Sequence, residues 1–359
     1  IIILMSIWFV VLSVERVGSS ILQGFKDMLG FNLVKTFRIF PVFVFVLGLS
    51  FYTDIDPKIV AFAYIFAAAV TGFWTIYRLG KKRSIFSKGN VSLKPDLAKK
   101  LFFFFLPLIF SGVATSVMGW TDTLMITWFR TSSDVGLYQV AKPATRFIGY
   151  LGVITVPLLP MVSELWADKN KEMLRSTFQI LLKFSILVAV PVMLVFLSFP
   201  EVIIRVLFGG NYVGAALALQ IMAVGTVLKV LSQPLGTGLI GTGESTTYGK
   251  IMGVVAGVNF VSNLILIPLF GIEGAALTTS LSYLILFILR LEYLRKLIKF
   301  PSPWKDIIKV VTGGLLTLFI VFVLKMILPL STWPKLFAVI IPGGLFYLIW
   351  VFRTSVIEE

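Results

Sequence analysis

Two cations lie one helical turn apart in an apolar stretch of the chain. Residues 135–152 read VGLYQVAKPATRFIGYLG, with Pro143 between Lys142 and Arg146. An ammonium and a guanidinium are costly to place in hydrocarbon, and such groups mark functional sites there. Both bind phosphate oxygens, and arginine does so through a planar fork of N–H donors. The pair therefore predicts an anion-binding site within a membrane.

Depth along the helices separates the two cations. The segments 101–129 and 135–162 are joined by a short turn and predict an antiparallel hairpin. Counted from the outer ends of these segments, Asp122 and Lys142 each lie about 12 Å deep, and Arg146 lies about 18 Å deep. Equal depth predicts an Asp122–Lys142 ion pair. Arg146 then has no acidic partner in its own hairpin.

The remaining candidates are also cations. Lys229 lies deep in an apolar run, and residues 202–243 contain no Asp or Glu. Lys35 and Arg38 are i,i+3 neighbours one turn inside the cytoplasmic end of their segment, where both side chains can either snorkel to the interface or serve a functional site. Asp122 is the only acid that the sequence places deep in a helix, and it either pairs with Lys142 or takes part in ion coupling. This excess of positive charge predicts a water-filled cavity that receives phosphate or pyrophosphate.

The elements that position these residues are membrane helices. The chain is 58% hydrophobic and 14% charged, with a mean hydropathy of +0.97. Its long apolar runs suffice to cross about 30 Å of hydrocarbon, and strands that alternate in polarity are absent from the sequence pattern. The sequence predicts an all-α, polytopic bundle of eleven transmembrane helices. Their limits are 1–14, 33–52, 58–79, 101–129, 135–162, 174–199, 214–240, 248–268, 274–289, 306–329 and 334–352.

Basic residues are concentrated in alternate loops. One set of loops and the tail from Arg353 hold 20 Lys and Arg residues, and the other set holds 3. The positive-inside rule assigns the first set and the C-terminus to the cytoplasm, so the net charge of +15 indicates topology and not a nucleic-acid partner. The sequence thus predicts a multi-pass protein of the cytoplasmic membrane. The absence of Cys and His argues against a zinc or thiolate metal site.

Two basic links divide the predicted helices into three groups. Residues 80–100 form the longest hydrophilic stretch and predict a cytoplasmic linker after a three-helix remnant over 1–79. A six-helix lobe follows over 101–298, and two additional helices with a cytoplasmic tail occupy 299–359. No phosphate loop, dinucleotide fingerprint or paired-carboxylate motif is present in the sequence, which favours a protein that is not an enzyme and needs no cofactor.

Several motifs resemble those of a known transporter superfamily. They are WTDTLMI…SSDVGLYQVA at 120–141, PLLPMVSEL at 157–165, VLFGGNYVGA at 206–215 and NLILIPLFGIEGAALTTSLSYL at 263–284. In order and spacing these resemble the polysaccharide flippases of the multidrug/oligosaccharidyl-lipid/polysaccharide exporter superfamily. The resemblance covers nearly all of residues 15–298. It implies a two-lobed fold like that of the multidrug exporters (MATE proteins), and on that template the first three helices are missing.

The resemblance also implies a function. Such a flippase translocates an oligosaccharide on a polyprenyl phosphate or pyrophosphate carrier across the cytoplasmic membrane by alternating access. Arg146, Lys142, Lys229, Lys35 and Arg38 would then contact the lipid phosphate, and the protein would act as a monomer among membrane lipids, coupled to Na⁺, to H⁺ or to neither. A cation-coupled multidrug exporter of the same superfamily remains an alternative. A membrane glycan polymerase or ligase is a second alternative, although the chain lacks the large outer loop that this activity predicts.

Overall fold

A computed structural model describes residues 2–25, 27–51, 56–81, 95–155, 157–301, 304–327 and 332–354. The regular elements within these ranges are all helical, so the predicted all-α fold class is confirmed. Eight helical stretches among them are long and apolar enough to cross a membrane. The chain divides into two compact units, Ile1–Lys94 and Pro95–Glu359. Most of the predicted linker, residues 82–94, lies outside the described residues.

The N-terminal unit has four helices in the part of it that the structure describes. Helix α1 packs against α4, and this contact is close at Gly18, where an added Cβ would lie 2.5 Å from Thr75 Cγ2. The sequence places the end of the first helix at residue 14, which is wrong, because α1 continues for ten residues through a buried Glu15. The bounds are α1 Ile2–Gly24, α2 Met28–Phe37, α3 Phe40–Ser50 and α4 Pro57–Lys81.

A break separates α2 from α3 at Arg38 and Ile39. Asp27 caps the start of α2 by accepting a hydrogen bond of 3.0 Å from the Gly30 backbone N–H. Pro41 lies in the first turn of α3, where its missing N–H costs nothing. Because Asp27 caps α2, this helix begins at Met28, five residues earlier than the sequence predicts. Arg38 lies about 15 Å along the helix from that start.

The C-terminal unit contains ten helices within the described residues. The single predicted segment 135–162 is in fact broken into α6, α7, a 3₁₀ helix over Tyr150–Thr155 and α8. Pro143 lacks the N–H that would continue the hydrogen-bond ladder, and the break begins two residues later. The bounds are α5 Pro95–Phe129, α6 Ser132–Ala144, α7 Arg146–Gly149, α8 Leu158–Ala167, α9 Lys171–Ser198, α10 Pro200–Phe208, α11 Ala216–Gly241, α12 Ser245–Ile298, α13 Trp304–Ile327 and α14 Thr332–Arg353.

Helix α12 is a hairpin of two helical halves. Its break is at Gly271, whose φ of 62° and ψ of −132° suit glycine and strain other residues. Arg130, just after α5, donates hydrogen bonds to the carbonyl oxygens of Ile267 and Pro268 at the end of the first half. Asn259 and Ser282, which are nearly equidistant from Gly271, are hydrogen-bonded to each other. The two halves are therefore antiparallel, as the predicted segments 248–268 and 274–289 require.

Candidate functional site

The buried carboxylate of Asp122 is held by side chains from two other helices, α6 and α12. It lies in α5 and is 2% exposed. Its Oδ2 accepts hydrogen bonds from the Tyr138 hydroxyl on α6 at 2.8 Å and from the Thr279 hydroxyl on α12 at 3.1 Å. Its Oδ1 accepts one of 2.8 Å from the Asn263 amide on the other half of α12. Three donors around one carboxylate stabilise its charged form and join α5, α6 and α12.

Lys142 lies beside this carboxylate. Its Nζ is 3.6 Å from Asp122 Oδ2, at the position that equal depth in the hairpin predicts. The same Nζ donates a hydrogen bond of 2.6 Å to the Gly119 carbonyl oxygen and lies 5.5 Å from the centre of the Tyr138 ring. The Lys142 side chain is 23% exposed, so its charge is only partly removed from the surface of the unit.

An amide and hydroxyl network extends from Asp122 along the α12 hairpin. The Asn263 Nδ2 group also donates to Asn259 Oδ1 at 3.2 Å, and Asn259 donates to the Ser282 hydroxyl at 3.2 Å. Two buried oxygens, Asn263 Oδ1 and Thr278 Oγ1, have no hydrogen-bond partner among the described residues. Asn259 and Asn263 lie in the predicted segment 248–268, so the sequence places both amides in a membrane helix. The sequence does not predict that Thr279 lies beside Asp122, because nothing in the local pattern connects these two residues.

Arg146 and Lys229 are two further cations of this unit that the sequence predicts to be part of the site. Both side chains are exposed, and neither has a carboxylate partner within the described ranges. Arg146 begins the one-turn helix α7, which packs against α11, the helix that carries Lys229. The Lys229 Nζ lies 5.2 Å from the centre of the Tyr283 ring. Both cations are close enough to Lys142 to repel its ammonium group.

We refer to Lys142, Arg146 and Lys229 as the cation face. Its three positive charges are opposed by the single carboxylate of Asp122, which leaves an excess of two. Like charges that repel one another without an internal counter-ion favour a bound anion. One member is an arginine, whose planar guanidinium can donate two parallel hydrogen bonds to an oxyanion.

The two other predicted cations lie in the N-terminal unit. Arg38 Nη1 is 3.7 Å from Oε1 of Glu15, whose side chain is 1% exposed. Lys35 is exposed, and its Nζ lies 4.3 Å from the centre of the Phe31 ring. The prediction that Asp122 is the only deeply placed acid is wrong, because Glu15 is buried about 14 Å from the end of α1. The sequence misses Glu15 because it ends the first helix one residue too early to include it.

A buried arginine was also missed. Arg290 falls within the basic link 290–309 in the sequence, but in the structure it lies inside α12 and is 5% exposed. Its Nη1 donates to the Ser232 carbonyl oxygen at 3.1 Å, and its guanidinium lies 4.7 Å from the centre of the Tyr248 ring. Gly236 provides the space, since an added Cβ there would lie 2.7 Å from Arg290 Nη1. Because Gly236 lies on α11, the residues next to Arg290 in the sequence do not indicate its burial.

Two family models match the chain. The MatE model matches residues 107–265, and the model described as polysaccharide biosynthesis protein matches residues 1–166. The uncharacterized membrane protein MJ1068 of Methanocaldococcus jannaschii is 28% identical over 320 residues, covering 87% of this chain and 62% of that protein. The probable low-salt glycan biosynthesis flippase Agl15 of Haloferax volcanii is 25% identical over 82% of this chain and 61% of its own length. The chain therefore spans less than two thirds of either relative.

Solved structures of transporters share the fold. The lipid II flippase MurJ in an inward closed conformation aligns with a TM-score of 0.64 and 17% identity, covering 98% of this chain and 71% of that chain. An outward-facing multidrug resistance transporter of the MATE family aligns with a TM-score of 0.66 and 17% identity, covering 79% and 66%. Together with the two family models, this likeness supports a multi-pass membrane protein that is similar to the multidrug and polysaccharide exporters.

Proposed function

We propose that the protein is a flippase for a lipid-linked oligosaccharide, carried on a polyprenyl phosphate or pyrophosphate. One observation carries this proposal: the cation face holds two positive charges more than it holds negative charges, within a membrane-embedded unit. A phosphate diester or pyrophosphate diester supplies the missing negative charge. The names of two relatives, a probable glycan biosynthesis flippase and a capsular polysaccharide biosynthesis protein of Staphylococcus aureus, support a glycan substrate.

The residues of the cation face have different roles in this proposal. Arg146 forks onto two phosphate oxygens, and Lys229 adds a second charge from the neighbouring helix α11. Asp122 offsets the charge of Lys142 and fixes its position, so Lys142 makes the weaker contact with substrate. In the N-terminal unit, Lys35 and Arg38 attract the anionic head group as it enters.

Alternating access would carry the glycan and phosphate past the cation face while the polyprenyl chain stays in the bilayer. The broken region from α6 to α8 is suited to this movement, because Pro143 and the 3₁₀ turn interrupt the helical hydrogen-bond ladder next to Arg146. In this proposal the basic loops and the C-terminus face the cytoplasm, and the protein acts as a monomer.

A cation-coupled multidrug exporter is the second candidate. The Asp122 network favours it, since a buried carboxylate with amide and hydroxyl oxygens beside it suits ion coupling. The likeness to MATE transporters in fold is equally compatible with it. Export of cationic dyes from cells separates the two candidates: dye export that requires Asp122 and not Arg146 would favour the drug exporter.

Arg146→Ala in the full-length protein tests the flippase proposal. Removing an arginine that binds a phosphate through charged hydrogen bonds costs about 2–3 kcal/mol, which predicts a loss of glycan export of roughly 30-fold or more at equal expression. Arg205→Ala is the matched control, because Arg205 is an exposed cation of the same unit outside the cation face. Export by Arg146→Ala equal to that of the control would refute the role of Arg146.

A further inference from the structure

Helix α11 carries a polar stripe that begins in the cation face. Lys229, Gln233 and Thr237 form this stripe, and their spacing of four residues places them along one face of the helix. Lys229 is exposed and the other two residues are partly exposed, whereas most of α11 is buried. Among the residues that the structure describes, neither Gln233 nor Thr237 has a side-chain hydrogen bond, unlike Thr226, whose hydroxyl donates to the Met222 carbonyl oxygen at 2.8 Å. Polar groups without partners are unfavourable against hydrocarbon, so the stripe indicates a face that meets water or a ligand.

Two close contacts fix how α11 lies against α7 and the 3₁₀ helix that follows it. An added Cβ at Gly149 would lie 3.9 Å from Cγ2 of Thr226, and an added Cβ at Gly152 would overlap the side-chain amide of Gln233. Residue numbers thus increase together on the two segments, so the segments run in the same direction. Positions one turn further along each segment therefore lie at the same end of the cation face.

Tyr150 and Gln233 occupy these positions. Tyr150 follows Arg146 by four residues, and Gln233 follows Lys229 by four. The Tyr150 side chain is 64% exposed, and no hydrogen bond joins its hydroxyl to another residue within the described ranges. The absence of a side chain at Gly152 leaves room for the Gln233 amide against the 3₁₀ helix. An uncharged row, formed by an aromatic ring and an amide, therefore adjoins the charged row of Arg146 and Lys229.

The chemistry of the uncharged row suits a sugar. The amide of Gln233 carries two hydrogens that donate and an oxygen that accepts, so it can bond two neighbouring sugar hydroxyls at once. The Tyr150 side chain has an apolar ring face and a polar hydroxyl. A pyranose has the same division, because its C–H groups form an apolar face and its hydroxyls form a polar rim. Neither side chain is charged, so neither adds charge for binding a phosphate.

The spacing of the two rows matches the covalent structure of a glycosyl phosphate. A single oxygen atom joins the phosphorus to the first sugar, so the sugar ring lies next to the phosphate. A sugar whose phosphate is bound by Arg146 and Lys229 is therefore within reach of side chains one helical turn away, which is about 5 Å along the helix axis. Thr237 extends the same polar face by one more turn.

We propose that Gln233 and Tyr150 form a subsite for the sugar that is bonded directly to the lipid phosphate, and that this sugar is an uncharged pyranose. The proposal rests on the flippase function proposed above and adds to it the residues that distinguish one glycan from another. Arg146 and Lys229 bind the phosphate, which all lipid-linked glycans share. Gln233 bonds the sugar hydroxyls, and the Tyr150 ring stacks on the apolar face of the sugar.

Binding of synthetic lipids to the purified full-length protein tests the proposal. Farnesyl phosphates bonded to glucose, galactose, mannose or N-acetylglucosamine are compared with the methyl ester of farnesyl phosphate, which has the same single charge and no sugar. The wild type is expected to bind at least one of the sugar compounds roughly tenfold more tightly than the methyl ester. Gln233→Met is expected to remove most of this preference and to leave the affinity for the methyl ester unchanged. Arg146→Gln is expected to weaken the binding of both compounds.

Further variants separate stacking from hydrogen bonding. Tyr150→Phe keeps the aromatic ring and is expected to retain most of the preference for the sugar compound, whereas Tyr150→Leu removes the ring and is expected to lose it. Gln179→Met is the matched control, because Gln179 is a partly exposed glutamine of α9 in the same unit and lies outside the polar stripe. This variant should bind both kinds of compound as the wild type does.

Equal affinity of the wild type for the methyl ester and for every sugar compound would overturn the proposal, and so would an unchanged sugar preference in Gln233→Met. If Gln233→Met fails to fold, an unchanged preference in Tyr150→Leu has the same force. Wild-type affinity of Arg146→Gln for both compounds would instead count against the cation face and the flippase proposal. A sugar preference that requires Gln233 would still support the subsite in that case, so the two failures are distinguishable.

Discussion

The Asp122–Lys142 pair gives a prediction whose magnitude follows from its geometry. Asp122→Asn keeps an oxygen for the Asn263 amide but removes the negative charge that faces Tyr138, Thr279 and Lys142. Hydrogen bonds to a charged group are worth about 1.5–3 kcal/mol each, and both hydroxyls can turn to accept from the new amide. We therefore expect a net loss of stability of about 2–4 kcal/mol.

A double-mutant cycle with Lys142→Met isolates the ion pair. Removing one partner of a fully buried pair costs about 3–5 kcal/mol. The Lys142 side chain is 23% exposed and retains the Gly119 carbonyl as a partner, so a coupling energy of about 1–2 kcal/mol is expected. The measurement is reversible unfolding of the purified protein in detergent, for both single variants and the double variant.

The pair formed by Lys183 and Asp306 is a matched control. Its N–O distance is also 3.6 Å, but both side chains are 20% exposed, whereas Asp122 is 2% exposed. Exposed pairs contribute about 0–1 kcal/mol, so the same cycle applied to Lys183→Met and Asp306→Asn should give the smaller coupling energy. Equal coupling in the two cycles would refute the argument that burial of Asp122 determines the strength of its pair with Lys142.

Two glycines give further predictions. Gly271→Ala places a side chain on a backbone with φ of 62° and ψ of −132°, which should lower the free energy of unfolding by about 1–3 kcal/mol. Gly253→Ala in the same helix is the control: its added Cβ meets no atom within 4 Å, so this variant should be neutral or more stable. Equal thermal stability of the two variants would contradict the hairpin geometry. Gly18→Ala should cost about 1–3 kcal/mol because its Cβ would lie 2.5 Å from Thr75 Cγ2, and adding Thr75→Ser, which removes that methyl group, should restore much of the loss. Failure of this rescue in the same unfolding assay would show that another contact is responsible.

The sequence predicts those features that depend on local pattern. Runs of apolar residues place the helices, and counting along one hairpin places Lys142 beside Asp122, because the two residues share a depth fixed by a short turn. The ends of the helices are less well predicted. A charged residue at position 15 looks like the end of an apolar run, and only the distant Arg38 and Thr71 explain why the helix continues through it.

Contacts between distant segments account for the other errors. The donors that hold Asp122 come from Asn263 and Thr279, 141 and 157 residues further along the chain, and no local signal points to them. Arg290 was assigned to a basic loop because five more Lys and Arg residues follow it within the same link. Its burial depends on space left by Gly236 on a different helix.

The two buried carboxylates are held in ways that suit different roles. Asp122 is bonded by three donors with an additional cation at 3.6 Å, so losing any one partner still leaves its charge well stabilised. Glu15 has one cation and one hydroxyl that is shared with a backbone carbonyl, so losing the cation removes most of the stabilisation of its charge. The first arrangement keeps the Asp122 side chain in place even when one of its partners is lost. The second makes the packing of Glu15 between α1, α2 and α4 depend on Arg38, because removing one partner of a buried ion pair leaves the other charge without compensation.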